Sequence, residues 1–191
     1  MILLQHASGD SIPLLELAAP INARGVDYRA TYGLLQKDRS PHWDKIVVIR
    51  NTLLHAREGE LVAWLDADTL RLDTAPFALS AGFDLGMALN RRRHFNTGVI
   101  VMRKTLPVRQ FFDKVWHDGP KQYHWVRLYD QCVINLFRKD LPIEELDSAW
   151  NFWPNCAKPP RDTVHVMAWH NAGASHALQG MRAALKRITS P

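Results

Sequence analysis

The sequence predicts an α/β protein with a mostly parallel central sheet flanked by helices. Leu61 to Leu65, LVAWL, is an apolar run without alternation, as expected of a strand covered on both faces. Short apolar runs and segments of helical period follow one another along the chain, which suits packed layers of sheet and helix. At 191 residues, the chain suits one domain able to bury roughly 70% of its unfolded surface.

Ile2 to Leu4 opens as a short strand, and the small, polar Ala7 to Asp10 reads as a loop at its end. Leu14 to Ala19 reads as a helix broken by Pro20 and Gly25, and Tyr28 to Leu35 as a second strand. From Asp44 to His55, Ile46, Val47, Ile49, Leu53 and Leu54 recur at helical spacing and leave Lys45 and Arg50 off the main stripe. That helix leads into the strand ending at Asp66. A short helix is expected after Pro76, then strands at Asp84 to Leu89 and Thr97 to Met102 around a loop, Asn90 to Asn96, that carries Arg91 to Arg93. Val108 to Trp116 reads as a helix ended by Gly119 and Pro120; Tyr129 to Phe137 is another, with Asp130 suited to its N-terminus. Ile143 to Phe152 is mixed, Pro154 to Pro160 a loop, and Thr163 to Trp169 a strand alternating around His165. Gly173 turns the chain into a basic amphipathic helix, Ala177 to Ile188. No repeat, linker or low-complexity tract interrupts this order, so residues 1–191 read as a single domain.

Hydrophobic residues at 47% and charged residues at 23% exclude a disordered or collagen-like chain. No stretch has the roughly 18 apolar residues of a transmembrane segment, and the N-terminus lacks a signal-peptide pattern, so a cytoplasmic protein is expected. Cys132 and Cys156 are too few for a disulfide framework or zinc site and read as buried thiols. A net charge of +5 favours an anionic partner. Nucleic acid is not expected, because the basic residues are dispersed and the densest run is one triplet.

The chemistry centres on Asp66 and Asp68. Side chains alternate along a strand, so the two acids leave one face, about 6.6 Å apart along the backbone, and one divalent cation can bridge them. In open α/β sheets ligands bind beyond the carboxyl ends of the strands, where Asp66 begins. The bland alternative is a capped turn with Thr69 and Asp73. His170, also after a strand, would make a ligand set of two carboxylates and an imidazole, which suits Mn²⁺ better than Ca²⁺. His165, inside an alternating strand, reads as a packed histidine.

The ordered series HWDKIVVIRNTLL, LVAWLDADTLRLD, FNTGVIVMRKT, YDQCVINLF, WNFWPN and AWHNAGASHA resembles that of GT-A glycosyltransferases, most of all families 34 and 8, over Trp43 to His176. The resemblance implies a GT-A fold and a retaining hexosyl or pentosyl transferase that uses a UDP- or GDP-sugar donor, a carbohydrate or glycoconjugate acceptor, and Mn²⁺ or Mg²⁺. It assigns Asp66, Asp68 and His170 to the metal. Lys45, Asp66, Asn96, Gly98 and His176 fall to the donor, with Gly98 allowing close backbone approach. Asp130 and Gln131 fall to the reacting centre, Gln131 steadying positive charge on the sugar and Asp130 orienting hydroxyls; Asn135 matches a further residue of their helix. His176 stands where the families usually carry lysine, with Arg91, Arg92 or Lys158 as compensating charges. Cys132 replaces an acid common in family 8, and that family's early acidic motif is missing. Two other functions compete. A strand ending in D-x-D also begins aspartate-nucleophile phosphatases, but Leu70 follows where threonine or valine is expected, and no later acidic pair is evident. A non-catalytic nucleotide-sugar or glycan-binding module fits the loss of the usual lysine.

Overall fold

The computed structural model describes residues 1–35, 41–90, 94–122, 130–154, 163–170 and 172–189. Its core is a six-stranded sheet of β1 (Ile2–Ala7), β2 (Asp27–Tyr32), β3 (Leu61–Leu65), β5 (Leu85–Leu89), β6 (Phe95–Arg103) and β7 (Ile143–Leu146). The order is β2-β1-β3-β6-β5-β7. All pairings are parallel except those of β6, which runs against both neighbours. A second ladder joins β4 (Thr69–Arg71) antiparallel to β8 (Val166–Ala168).

The apolar run of β3 behaves as a strand buried on both faces. Val62 and Trp64 pack into one cluster with Ile46 and Ile49 of α2 (Asp44–His55), Phe111 and Phe112 of α3 (Leu106–Gln122), and Val133 and Ile134 of α4 (Asp130–Leu136). Ala63 and Leu65 pack on the opposite face with Leu3, Phe77, Val99 and Val166. Beyond the strand ends, α1 (Ile12–Asn22) meets α5 (Ala174–Thr189) around Leu15, Leu70, Trp169 and Met181. Among the described residues no helix is long and apolar enough to cross a membrane.

Several boundaries differ from expectation. Pro20 lies inside α1, in its last turn, where it removes one i→i−4 bond from a helix otherwise held by the packing of Leu14, Leu15 and Ala18. Helix α3 continues through Gly119. A side chain there would meet Val133 Cγ1 at 2.5 Å, so glycine serves the approach of α3 to α4. The stretch after Pro76 is irregular, with Phe77 tilted on Trp150 at 4.8 Å. Cys132 is exposed. Arg91 to Arg93, Tyr129, Cys156, Lys158 and most of the Pro154 to Pro160 loop lie outside the described residues.

Candidate active site

Because β6 is antiparallel, its first residues lie at the same sheet edge as the last residues of β3. Leu65 pairs with Val99, and the Asp66 N–H donates to the Gly98 carbonyl at 2.8 Å. Gln5 of β1 donates to the Asp66 carbonyl at 3.0 Å. The β4–β8 ladder brings in a partner from the end of the chain: Thr69 pairs with Ala168, and the Trp169 N–H donates to the Asp68 carbonyl at 3.1 Å. His170 is thereby carried beside the acids, 102 residues beyond Asp68.

Asp66, Asp68 and His170 offer one ligand atom each, all within 4.8 Å of one another. His170 Nδ1 lies 3.1 Å from Asp68 Oδ1 and 4.0 Å from Asp66 Oδ2. Burial would lower the His170 pKa, but the charge of Asp68, then that of Asp66, holds it above the ordinary value. Burial would raise Asp68, and His170 holds it below the usual carboxylate range. Gly98 touches this pair directly: a Cβ there would fall 2.1 Å from His170 Cε1 and Nε2. Having no side chain, Gly98 permits the close approach of the His170 ring.

Lys45 does not follow the pattern expected of a residue off the helix stripe. It is buried in the first turn of α2, and its Nζ lies 2.9 Å from Asp66 Oδ1, Asp130 Oδ2 and the Thr97 carbonyl. Burial alone would push the ammonium down; the charges of Asp130 and Asp66 outweigh it and hold the group charged well above its ordinary range. Asp130 is 2% exposed, and its Oδ2 also accepts from Thr97 Oγ1 at 2.8 Å. Its carboxylate is thereby taken up by Lys45 and Thr97.

Asn96 lies in β6 rather than in the expected loop. Its Nδ2 donates to Gln131 Oε1 at 3.1 Å, and the Thr97 N–H reaches the same oxygen at 3.4 Å. Gln131 is held by its oxygen, so the end it offers is the Nε2 donor. Asn135 is structural here, donating to the Phe95 carbonyl at 2.7 Å and accepting from the Phe95 N–H at 2.8 Å. His165 sits apart from the acids, bonded to Asp73 at 2.7 Å and stacked on Trp150.

A cavity of about 660 Å³ opens beside the acids, lined by Lys45, Trp64, Asp66 and Asp68, by His6 and the turn Ser8 to Ser11 after β1, and by Trp169, Ala172, Gly173, Ala174 and Ala177. That volume suits a ligand of nucleotide size. His176 is exposed on α5 and does not line it. Sequence reasoning missed His6, Asn151 and Trp64. Trp64 has a readable signal, since it lies two positions before Asp66 on the same face, and its indole donates to Asp66 Oδ1 at 2.7 Å. Asn151 stood within a quoted motif but had no chemistry of its own to mark it; its amide bonds Asn96, His170 and Trp153.

No protein-family model and no curated protein sequence matches the chain. Solved structures do. A glycosyltransferase involved in glycosylation of the major capsid of PBCV-1 matches with a TM-score of 0.71 at 14% identity, over 95% of this chain and 98% of that one. The galactosyltransferase LgtC, in complex with donor and acceptor sugar analogues, matches at 0.61 and 15% identity, over 100% and 97%. GlyE of Streptococcus pneumoniae matches at 0.63 and 16% identity, over 100% of this chain and 64% of that one. The chain has the GT-A fold of these glycosyltransferases.

Proposed function

We propose that this protein transfers a sugar from a UDP- or GDP-sugar to a carbohydrate or glycoconjugate acceptor, with retention at the anomeric carbon, using Mn²⁺ or Mg²⁺ held by Asp66, Asp68 and His170. The observation that carries the reading is the convergence of these three groups within 4.8 Å beside a cavity of nucleotide size at the end of β3. Their donor set fits such a cation, since one imidazole nitrogen among carboxylate oxygens favours Mn²⁺ over Ca²⁺. Bound there, the cation would neutralise charge gathering on the diphosphate as the sugar bond breaks.

The remaining work falls to the chain. Lys45 fixes one oxygen of Asp66 and faces the cavity. Gly173, at φ 72, turns the chain into α5 at the cavity wall. The first-turn N–H groups of a helix lack internal partners and favour an anion. They offer the diphosphate compensation for the lysine absent at His176. Gln131, pinned through Oε1, would position the sugar through its Nε2. Asp130 is the acid adjoining it, and that carboxylate is engaged by Lys45 and Thr97, which favours a front-face route over a double displacement. In that route the acceptor oxygen bonds to the anomeric carbon on the face the diphosphate leaves, and the diphosphate takes the acceptor's proton.

A thermal-shift panel of nucleotide sugars with and without Mn²⁺ tests the reading. A matching donor at 100 times its dissociation constant should stabilise by about 2.7 kcal/mol, roughly 5 to 10 °C for a chain of this size, and only with metal. Turnover should release nucleoside diphosphate, faster with acceptor, and NMR of the product should show retention; inversion would defeat the stereochemical part. Gln131→Ala should lower turnover about a hundredfold or more with donor binding nearly kept, the usual loss for a positioned donor. Phosphate release from simple phosphomonoesters would point instead to a phosphatase, and donor binding without product to a non-catalytic module.

A further inference from the structure

We propose that Asn151 is a positioning residue that fixes the tautomer and heading of His170 and couples it to Asn96 and Gln131, so that the metal-binding and sugar-binding sides of the site move as one unit. The proposal rests on the reading of Asp66, Asp68 and His170 as a cation site.

Asn151 is 7% exposed, and its amide is oriented by groups that can act in one way only. The Trp153 indole N–H can only donate, and it lies 3.3 Å from Asn151 Oδ1. At the far end, the backbone N–H of Gly98 can only donate, and it points at Asn96 Oδ1 at 2.9 Å. Asn96 Oδ1 is therefore an acceptor, and Asn151 presents its Nδ2 to it at 2.7 Å. Both amides are thus fixed. His170 Nε2 faces the Asn151 oxygen at 3.2 Å, so this ring nitrogen carries a proton. In the neutral ring the lone pair is then on Nδ1, aimed at Asp68 and Asp66. A lone pair facing two carboxylates draws a positive species in between them, which is the condition for a metal ligand. Gly98 beneath the ring and Trp153, edge-on at 5.1 Å and 77°, keep it from turning away. The same Asn96 donates onward to Gln131.

The test uses full-length protein labelled with ¹⁵N-histidine, with His170 assigned from a His170→Gln spectrum. In metal-free wild type at alkaline pH, long-range ¹H–¹⁵N correlations should show the Nε2–H tautomer, and Asn151→Ala should yield a mixture or the Nδ1–H form. Calorimetric titration with Mn²⁺ alone should show affinity falling about 10 to 100-fold in Asn151→Ala, the usual loss when an outer partner of a ligating histidine is removed. Asn151→Asp keeps the acceptor for His170 but cannot donate to Asn96. It should keep the tautomer and metal affinity while lowering turnover, and it decides the matter if the alanine variant does not fold. An Nδ1–H tautomer in wild type, or an unchanged tautomer in Asn151→Ala, would overturn the proposal. Absence of Mn²⁺ binding by wild type would defeat the metal reading separately, because the tautomer measurement needs no metal.

Discussion

On the β6 side of the cleft, Lys45, Asp66, Thr97 and Asp130 close one another's polar contacts within 3.2 Å. On the β1 side, His6 Nδ1 meets Thr31 Oγ1 at 2.9 Å and Nε2 makes a longer ion-pair contact, 3.3 Å, with Asp44 Oδ2, while Asp44 Oδ1 has no partner among the described residues. Low dielectric raises the stakes on both sides. A closed network holds its geometry before any substrate arrives, which is what chemistry at a fixed point needs. Unclosed buried atoms each carry a cost of about 1 to 3 kcal/mol, which a bound group can offset. On the function proposed above, the first wall would hold reacting groups and the second would adjust to what binds.

Breaking the closed side should have the largest effect. Lys45→Met leaves Asp66 and Asp130 facing each other without their shared cation. Removing one partner of a buried pair costs about 3 to 5 kcal/mol, so chemical denaturation should show a loss of that order. Adding Asp130→Asn should recover part of it, because the remaining buried charge is then removed. Failure of the second change to recover stability would show that packing, not charge, sets Lys45's contribution.

Next in size is the cation side. Asp68→Ala should abolish the Mn²⁺-dependent part of donor stabilisation, about 2.7 kcal/mol at saturating ligand, with the metal-free fold intact. His170→Ala should weaken it, and His165→Ala should lower stability alone, because its partners are Asp73 and Trp150. Calorimetry giving the reverse pattern for the two histidines would exchange their roles. Gly98→Ala is a smaller disturbance of the same side. Its Cβ would overlap the His170 ring, and overpacking of this kind costs about 1 to 3 kcal/mol. Melting and Mn²⁺ affinity should fall together; a drop in melting alone would show that the ring yields without losing its heading.

How much of this was legible in the sequence follows from how local each cause is. The β3 run, the same-face acids and both ends of α2 were readable, because periodicity and side-chain alternation are set by neighbours in the chain. The burial of Lys45 was not, since it depends on where the first turn of α2 meets β6. Nor was the reversed direction of β6, which turns Asn96 from an expected loop residue into the partner of Gln131. Prolines misled for a related reason: Pro20 and Pro120 read as breaks, yet each lies in the last turn of a helix whose packing against the core outweighs the one bond lost. Asn151 was invisible as a functional residue because its partners lie 55 and 19 residues away, and neither separation leaves a pattern in the chain.

The smallest expected effect concerns the adjustable side and its pH response. Burial holds the His6 pKa below its ordinary value, and the opposing pull of Asp44 does not restore it. The unfolded chain therefore takes up a proton near pH 6.5 that the folded chain refuses. Stability owed to neutral His6 is fully present above that pH and is lost as pH falls through it toward the depressed folded value. His170 has the opposite sign, because its folded pKa is raised; its contribution is present at low pH and lost as pH rises through the folded value. Wild type alone mixes the two. The difference between wild type and His6→Gln cancels His170 and isolates His6. Urea denaturation from pH 5 to 7.5 should show wild type losing stability on the acid side relative to His6→Gln, with the gap closing toward neutral pH. A gap that instead widened toward neutral pH would mean that Asp44 outweighs burial and that this wall is a closed ion pair, removing the contrast with the β6 side.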